Sequence, residues 1–263
     1  MTYTVIGGGG LIGSAVCSAL GAERLPFQRV TRQVPVPSSP LGHVIYAAGV
    51  TGDFMTRRKD ALHAHVELLD SILNRDDFDS LTYLSSTRLY KRNKTTNEDN
   101  AILVRPELSD DFYGISKLMG ESLCLGITDK PVKVIRLSNV VGDQIVDGNF
   151  LHDVITQART TGKVKFTSSL SSSKDYIALP DVVELILMIS RCGNARIYNV
   201  ASGLNVTHSE IANLLTSELN ATIQVALDTP TEDNIPISIA MIMSEFNFKP
   251  RPIIPTMRSL IHA

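Results

Sequence analysis

The stretch TYTVIGGGGLIGSAVCSALG, residues 2–21, decides the fold. TYTVI is a β-branched run that stops at a glycine. LIGSAVCSAL carries apolar residues at 11, 12, 15, 16, 19 and 20, which is helical period and not strand alternation. The unit is therefore strand, tight turn, helix. Gly7, Gly10 and Gly13 form G-x-x-G-x-x-G. The first allows the turn, the second lets backbone approach a pyrophosphate, and the third lets helix and strand pack closely. The helix N-terminus, beginning at Leu11 and Ile12, then faces the phosphates of a dinucleotide. A flexible glycine-rich turn would show the same letters, so the rest of the chain must agree.

Strand-like runs recur at 26–31, 43–48, 81–86, 132–138 and 196–201, and helix-like segments at 11–23, 56–75, 110–126 and 181–192. This alternation predicts an α/β fold, a doubly wound parallel sheet whose ligands bind at the carboxyl ends of the strands. The second run delivers Thr31 and Arg32 there, about 20 residues past the glycines, where Asp or Glu would hold the ribose of NAD and Arg accommodates the 2′-phosphate of NADP. The expectation is NADP, with NAD as the alternative; a plain surface arginine reads the same. The third run ends in Ala47, Ala48 and Gly49, small residues against which a cofactor can lie. The fourth ends in Ser85, Ser86 and Thr87, the fifth in Leu137, Ser138 and Asn139.

Residues 113–117 read YGISK. Positions i and i+4 share a helix face, so Tyr113 and Lys117 project together. An ammonium beside the phenol is expected to lower its pKa toward neutrality and make Tyr113 an acid/base at a substrate oxygen. Ser86 can hydrogen-bond the same oxygen. Y-x-x-x-K alone arises by chance in many helices; a glycine turn, a strand-end serine and this pair in that order are far more specific.

Composition narrows the classes. The 263 residues are 43% hydrophobic and 20% charged with net charge -2, ordinary for a globular enzyme and without the basic footprint that nucleic acid or an anionic membrane requires. RRK at 57–59 reads as a solvated helix start. Cys17, Cys124 and Cys192 offer neither a disulfide framework nor metal-ligand spacing, which suits a reducing cytoplasm. His63 and His65, two apart, make a poor metal pair on a helix, and no metal site is expected. No run approaches the roughly 20 apolar residues of a membrane span.

Seven segments together resemble the extended short-chain dehydrogenase/reductase family of NAD(P)-dependent sugar epimerases, dehydratases and reductases. They are GGGGLIG (7–13), YAAG (46–49), LSSTRLY (84–90), YGISK (113–117), RLSNVVG (136–142), KDYIALPDVVELI (174–186) and YNVASG (198–203). The resemblance implies Tyr113 as acid/base, Lys117 as its partner and as a ligand of the nicotinamide ribose, and Ser86 as the catalytic hydroxyl. It implies that Ser138 to Val140 pass the nicotinamide, and that Ser86, Thr87, Asn139 and Lys174 meet the substrate, a nucleotide sugar. Lys174 falls where many members carry an arginine for the substrate's phosphates. A Rossmann-type domain would span 1–142, with 175–203 returning to it. A small C-terminal substrate-binding lobe would comprise 143–174 and 204–263. Helices at 66–75 and around Cys124 would pair into a homodimer.

Three departures stand out. QVPVPSSP (33–40) replaces a helix and a strand, and with them an Asp that holds adenine; its three prolines argue for an extended connector. The family's frequent Asn after the YAAG strand is aligned with Ala61. Thr87-Arg88 stands where sugar dehydratases carry an Asp-Glu pair, which argues against a 4,6-dehydratase. TTNEDN (95–100) reads as a polar loop over the substrate. The leading expectation is an NADP-dependent reductase of a nucleotide-activated keto-sugar. The alternatives are a nucleotide-sugar epimerase with a retained cofactor, a non-catalytic NAD(P)-binding protein, and an oxidoreductase of a non-sugar carbonyl.

Overall fold

A computed structural model describes residues 1–142, 149–227, 229–231 and 234–263. The glycine-rich unit is strand β1 (Tyr3–Ile6), a turn, and helix α1 (Leu11–Ala22). Then follow β2 (Phe27–Val30) and β3 (Gly42–Tyr46), joined by a connector without helix or strand, as the prolines of 33–40 predicted. Helix α2 (Arg58–Leu62) runs through a π turn (His63–Glu67) into α3 (Leu68–Leu73). Strand β4 (Phe78–Ser86), helix α4 (Phe112–Gly126), strand β5 (Val132–Leu137), helix α6 (Leu179–Cys192) and strand β9 (Ile197–Val200) complete the main layer. Its six strands are all parallel, in the order β2-β1-β3-β4-β5-β9.

Strand periodicity of two sends alternate side chains to opposite faces of this sheet. Tyr3, Val5, Ile45, Leu84 and Ile135 meet Val16 and Leu20 of α1 and Val182, Leu185 and Ile189 of α6. Ile6, Val44, Leu81, Tyr83 and Val134 meet Leu69 and Ile72 of α3 and Cys124 of α4. The apolar faces of 66–75 and of the Cys124 helix are thus buried within the chain. Each fully buried Leu or Ile contributes roughly 1.5–3 kcal/mol, so both layers are well fastened.

A separate core is built from strand β6 (Asn139–Val141), helix α5 (Phe150–Thr161), strands β7 (Lys163–Phe166) and β8 (Ser173–Ala178), strand β10 (Asn205–Thr207), helix α7 (His208–Leu219), strand β11 (Thr222–Val225) and helix α9 (Ile253–His262). Leu151, Ile155, Phe166, Ile211, Leu215 and Leu260 fill it. Helix α8 (Ala240–Phe246) instead packs on β9, with Ile242 and Phe248 in the main core. The first residues expected of the substrate lobe, 143–148, lie outside the described residues. Among the described residues no helix is long and apolar enough to cross a membrane, and no three His, Cys, Asp or Glu side chains gather to hold a metal ion.

Candidate active site

The glycines meet their predicted geometry. Gly7 has φ +85, a left-handed conformation, and a Cβ there would stand 2.5 Å from Ala48 N and 2.6 Å from Ala47 C. A Cβ on Gly13 would collide with the Gly7 backbone, 2.8 Å from its carbonyl carbon. Gly10 is different: nothing crowds it, and it sits exposed as the N-cap of α1. That helix start has no side-chain cap and no acidic residue in its first turn, so its N–H groups stay available to an anion. The turn therefore fits a dinucleotide pyrophosphate. Leu11 and Ile12 are half-buried at this start, and Ala47 N donates to Ile6 O at 2.7 Å, which seats Ala47, Ala48 and Gly49 directly beside the turn.

Thr31 lies against Gly9, and its hydroxyl accepts the N–H groups of Gln33 and Val34 at 3.2 and 3.1 Å, which holds Arg32 exposed at the rim. Arg29 was not anticipated. Its Nε donates to Gly8 O at 2.8 Å, a second cation beneath the same turn.

At the carboxyl end of β4, Ser86, Tyr113 and Lys117 come together, and the cofactor-side strand end joins them: a Cβ on Gly49 would stand 3.4 Å from Lys117 Nζ. Burial pushes the Tyr113 phenol above its ordinary pKa, opposed by a hydrogen bond with Ser86 and by the charge of Arg88. This corrects the expectation that Lys117 draws the phenol toward neutrality. Lys117 is itself buried, which pushes it down to about 7 against the pull of Glu121, and its Nζ donates to Leu84 O at 2.9 Å. An amine desolvated to about 7 is only part protonated at neutral pH, so it acts on its neighbour more weakly than a full ammonium would. The sign of the resulting stability change follows. The unfolded lysine holds its proton up to 10.5 whereas the folded one releases it near 7. Between those values the unfolded state binds more protons, so stability rises with pH, and the burial cost is fully present below 7. Chemical denaturation across that window should show this rise in the wild type, and the Lys117→Met protein should lack it; parallel curves would refute the buried-amine account.

His65, expected only as half of a poor metal pair, is pointed inward by the π turn and fully buried. Its Nε2 accepts from Val50 N–H at 3.2 Å, so Nδ1 carries the proton and donates to Ser116 Oγ at 2.9 Å; Ser116 in turn donates to the Tyr113 carbonyl at 2.8 Å. Burial and the neighbouring Lys117 hold this imidazole down to about 2, so it stays neutral. Its ring stands edge-on to Tyr113 at 5.6 Å. Ala61, the expected counterpart of the family's Asn, is only a core residue beneath Phe54.

Behind the site, Glu121 and Arg136 form a buried ion pair at 2.7 Å. Ser85 Oγ donates to Glu121 at 2.6 Å, and Arg136 reaches the Tyr90 hydroxyl at 2.7 Å, which donates to Asn199 at 2.9 Å. The 95–100 loop is anchored from below. Asn199 donates to Thr96 O and its N–H to Glu98, both buried, so the loop is fastened to β9.

Of the residues expected at a substrate, Thr87 Oγ1 donates to Leu137 O at 3.2 Å and Asn139 Nδ2 to Asp175 O at 2.8 Å. Ser138 N–H donates to Val200 O, and Val140 is buried in β6. Lys174 stands over the Phe150 ring of the separate core at 5.1 Å.

Residues 42–201 match the model of the NAD dependent epimerase/dehydratase family. The chain belongs to that family. A dTDP-4-dehydro-6-deoxyglucose reductase of Escherichia coli is 26% identical over 173 residues, 60% of this chain and 52% of the relative. The chain thus matches about half the length of that curated relative. Among solved structures, RMD from Pseudomonas aeruginosa complexed with NADPH is 22% identical with a TM-score of 0.81, covering 99% of this chain and 98% of that one. A UDP-glucuronic acid 4-epimerase from Bacillus cereus in complex with NAD is 14% identical with a TM-score of 0.85, covering 100% and 98%. These likenesses fix the family's Rossmann-type fold for the chain, and its members are NAD(P)-dependent enzymes.

Proposed function

We propose that this enzyme reduces a keto group of a nucleotide-activated sugar, using NADPH. The observation that carries the reading is the convergence of Ser86, Tyr113 and Lys117 beside Gly49 and the glycine turn. When bound, the dinucleotide supplies a hydride to the carbonyl carbon. The Tyr113 phenol gives its proton to the carbonyl oxygen, Ser86 hydrogen-bonds that oxygen, and Lys117 would hold the nicotinamide ribose. Burial of Tyr113 keeps competing water from the proton. The E. coli reductase supports the reaction class, and RMD with NADPH supports the cofactor.

The same reading assigns Thr31 and Arg32 to the NADP 2′-phosphate, Ser138 and Val140 to the nicotinamide side, and Thr87, Asn139 and Lys174 to the substrate. It divides the chain into a dinucleotide domain and a substrate lobe around the separate core, with α8 assigned to the former because of its contact with β9. Two copies would pair as a homodimer, measurable as mass in solution.

The test uses the purified chain with NADPH and dTDP-4-dehydro-6-deoxyglucose. Consumption of NADPH matched by reduced sugar supports the reading. Near-stoichiometric dinucleotide released on denaturation, with sugar epimers interconverting and no NADPH consumed, would replace it with the epimerase. Arg32→Ala should weaken NADPH binding by about tenfold more than NADH binding, the scale of one charge-assisted contact. Equal weakening would make Arg32 a surface residue.

A further inference from the structure

Three cations share the turn that follows β4: Arg88, Lys91 and Arg92. Two of them have acidic partners. Lys91 pairs with Asp110 at 3.2 Å, and Arg92 grips Asp111 through two N–H groups at 2.8 Å. Arg88 has none: among the described residues its exposed side chain makes no ion pair and no hydrogen bond. Its guanidinium instead stands over the Phe54 ring at 5.1 Å and over the Tyr113 ring at 5.6 Å, the two rings being 5.2 Å apart. The cations at the opposite end of the sheet differ. Lys130, Lys133 and Arg196 are spent on main-chain carbonyls, and Arg191 on Glu23 and Tyr3.

This placement has a chemical meaning. A guanidinium carries its N–H donors at its edge, and with none of those of Arg88 spent on an acceptor among the described residues they stay free to grip two oxygens of one anion. The rings restrict the side chain before any ligand arrives, which lowers the entropy lost on binding. The backbone of the same residue donates to Ser86 Oγ at 3.1 Å, tying the cation to the catalytic hydroxyl. An unpaired charge is therefore held at the reacting phenol, in a turn where every other cation is neutralised.

We propose that Arg88 is a specificity-determining residue that binds an anionic oxygen group of the substrate beside the carbon at which Tyr113 acts, a role that rests on the sugar-nucleotide reading above. The anion is either a carboxylate on the sugar or the phosphates of its nucleotide. Both present the paired oxygens that a guanidinium edge fits.

The experiment is equilibrium binding of UDP-glucuronic acid and UDP-glucose to the full chain in the presence of NADP, for wild type, Arg88→Met and Arg88→Lys. Arg88→Met should lose about tenfold or more in affinity, and Arg88→Lys should recover part of it, because a lone ammonium keeps the charge without the paired geometry. NADP binding and the melting temperature of each variant report that the fold is intact. Loss confined to UDP-glucuronic acid identifies the sugar carboxylate, and equal loss for both identifies the diphosphate. Unchanged affinity of Arg88→Met for both overturns the role of Arg88 alone. Wild type that binds neither sugar nucleotide overturns the substrate reading and the role of Arg88 with it.

Discussion

Tyr113→Phe is expected to cut turnover by roughly 10²–10⁴-fold, the range that a positioned acid/base contributes. The change removes one hydroxyl and leaves the ring between Phe54 and His65, so packing is preserved. Dinucleotide affinity should stay within about twofold, because Gly7, Gly10 and Gly13 and the α1 terminus do not touch the phenol oxygen. The reading is kcat against the dissociation constant for NADPH, measured on the same preparations. Activity retained by Tyr113→Phe would remove Tyr113 from the chemistry. Simultaneous loss of NADPH binding would make its role structural.

The second large effect concerns stability. Glu121→Ala leaves the Arg136 guanidinium buried without its carboxylate and strips Ser85 of its acceptor. Breaking one side of a buried ion pair costs about 3–5 kcal/mol, because the surviving charge stays desolvated. Chemical denaturation should show that loss. The double variant Glu121→Leu with Arg136→Met should recover most of it, since no charge is then left unpaired. A single variant as stable as wild type would mean that water reaches Arg136. A double variant no better than the single would mean that the network, through Tyr90 and Asn199, matters more than the pair. Lys117 lies one helical turn from Glu121, and Glu121 raises its pKa against burial. The network therefore also bears on the protonation of Lys117.

Much of the candidate site was legible because its signals are local. A strand, a glycine turn and a helix start are neighbours in sequence, and only a residue without Cβ tolerates both the φ of Gly7 and the contact at Gly13. The i, i+4 spacing of Tyr113 and Lys117 follows from helical geometry alone. Three prolines at 33–40 excluded a helix before any tertiary contact existed. What stayed hidden was what distant segments supply. The π turn that aims His65 inward has no recognisable letters. Arg88 gained meaning from Phe54, and Glu121 found Arg136 on the far side of a loop. Thr96 and Glu98 read as polar and are buried because Asn199, about a hundred residues away, donates to both.

The sequence by itself determined the parallel α/β sheet, the strand–glycine turn–helix unit and the order of Ser86, Tyr113 and Lys117, since backbone dihedrals, side-chain period and residue type are properties of short segments. Only the tertiary structure decided the charge around the phenol. Lys117 looked like the cation acting on Tyr113; burial lowers its pKa to about 7, and the charge that opposes the rise of the phenol is that of Arg88, over the ring. Desolvation depends on everything packed around a group, and no stretch of sequence records that.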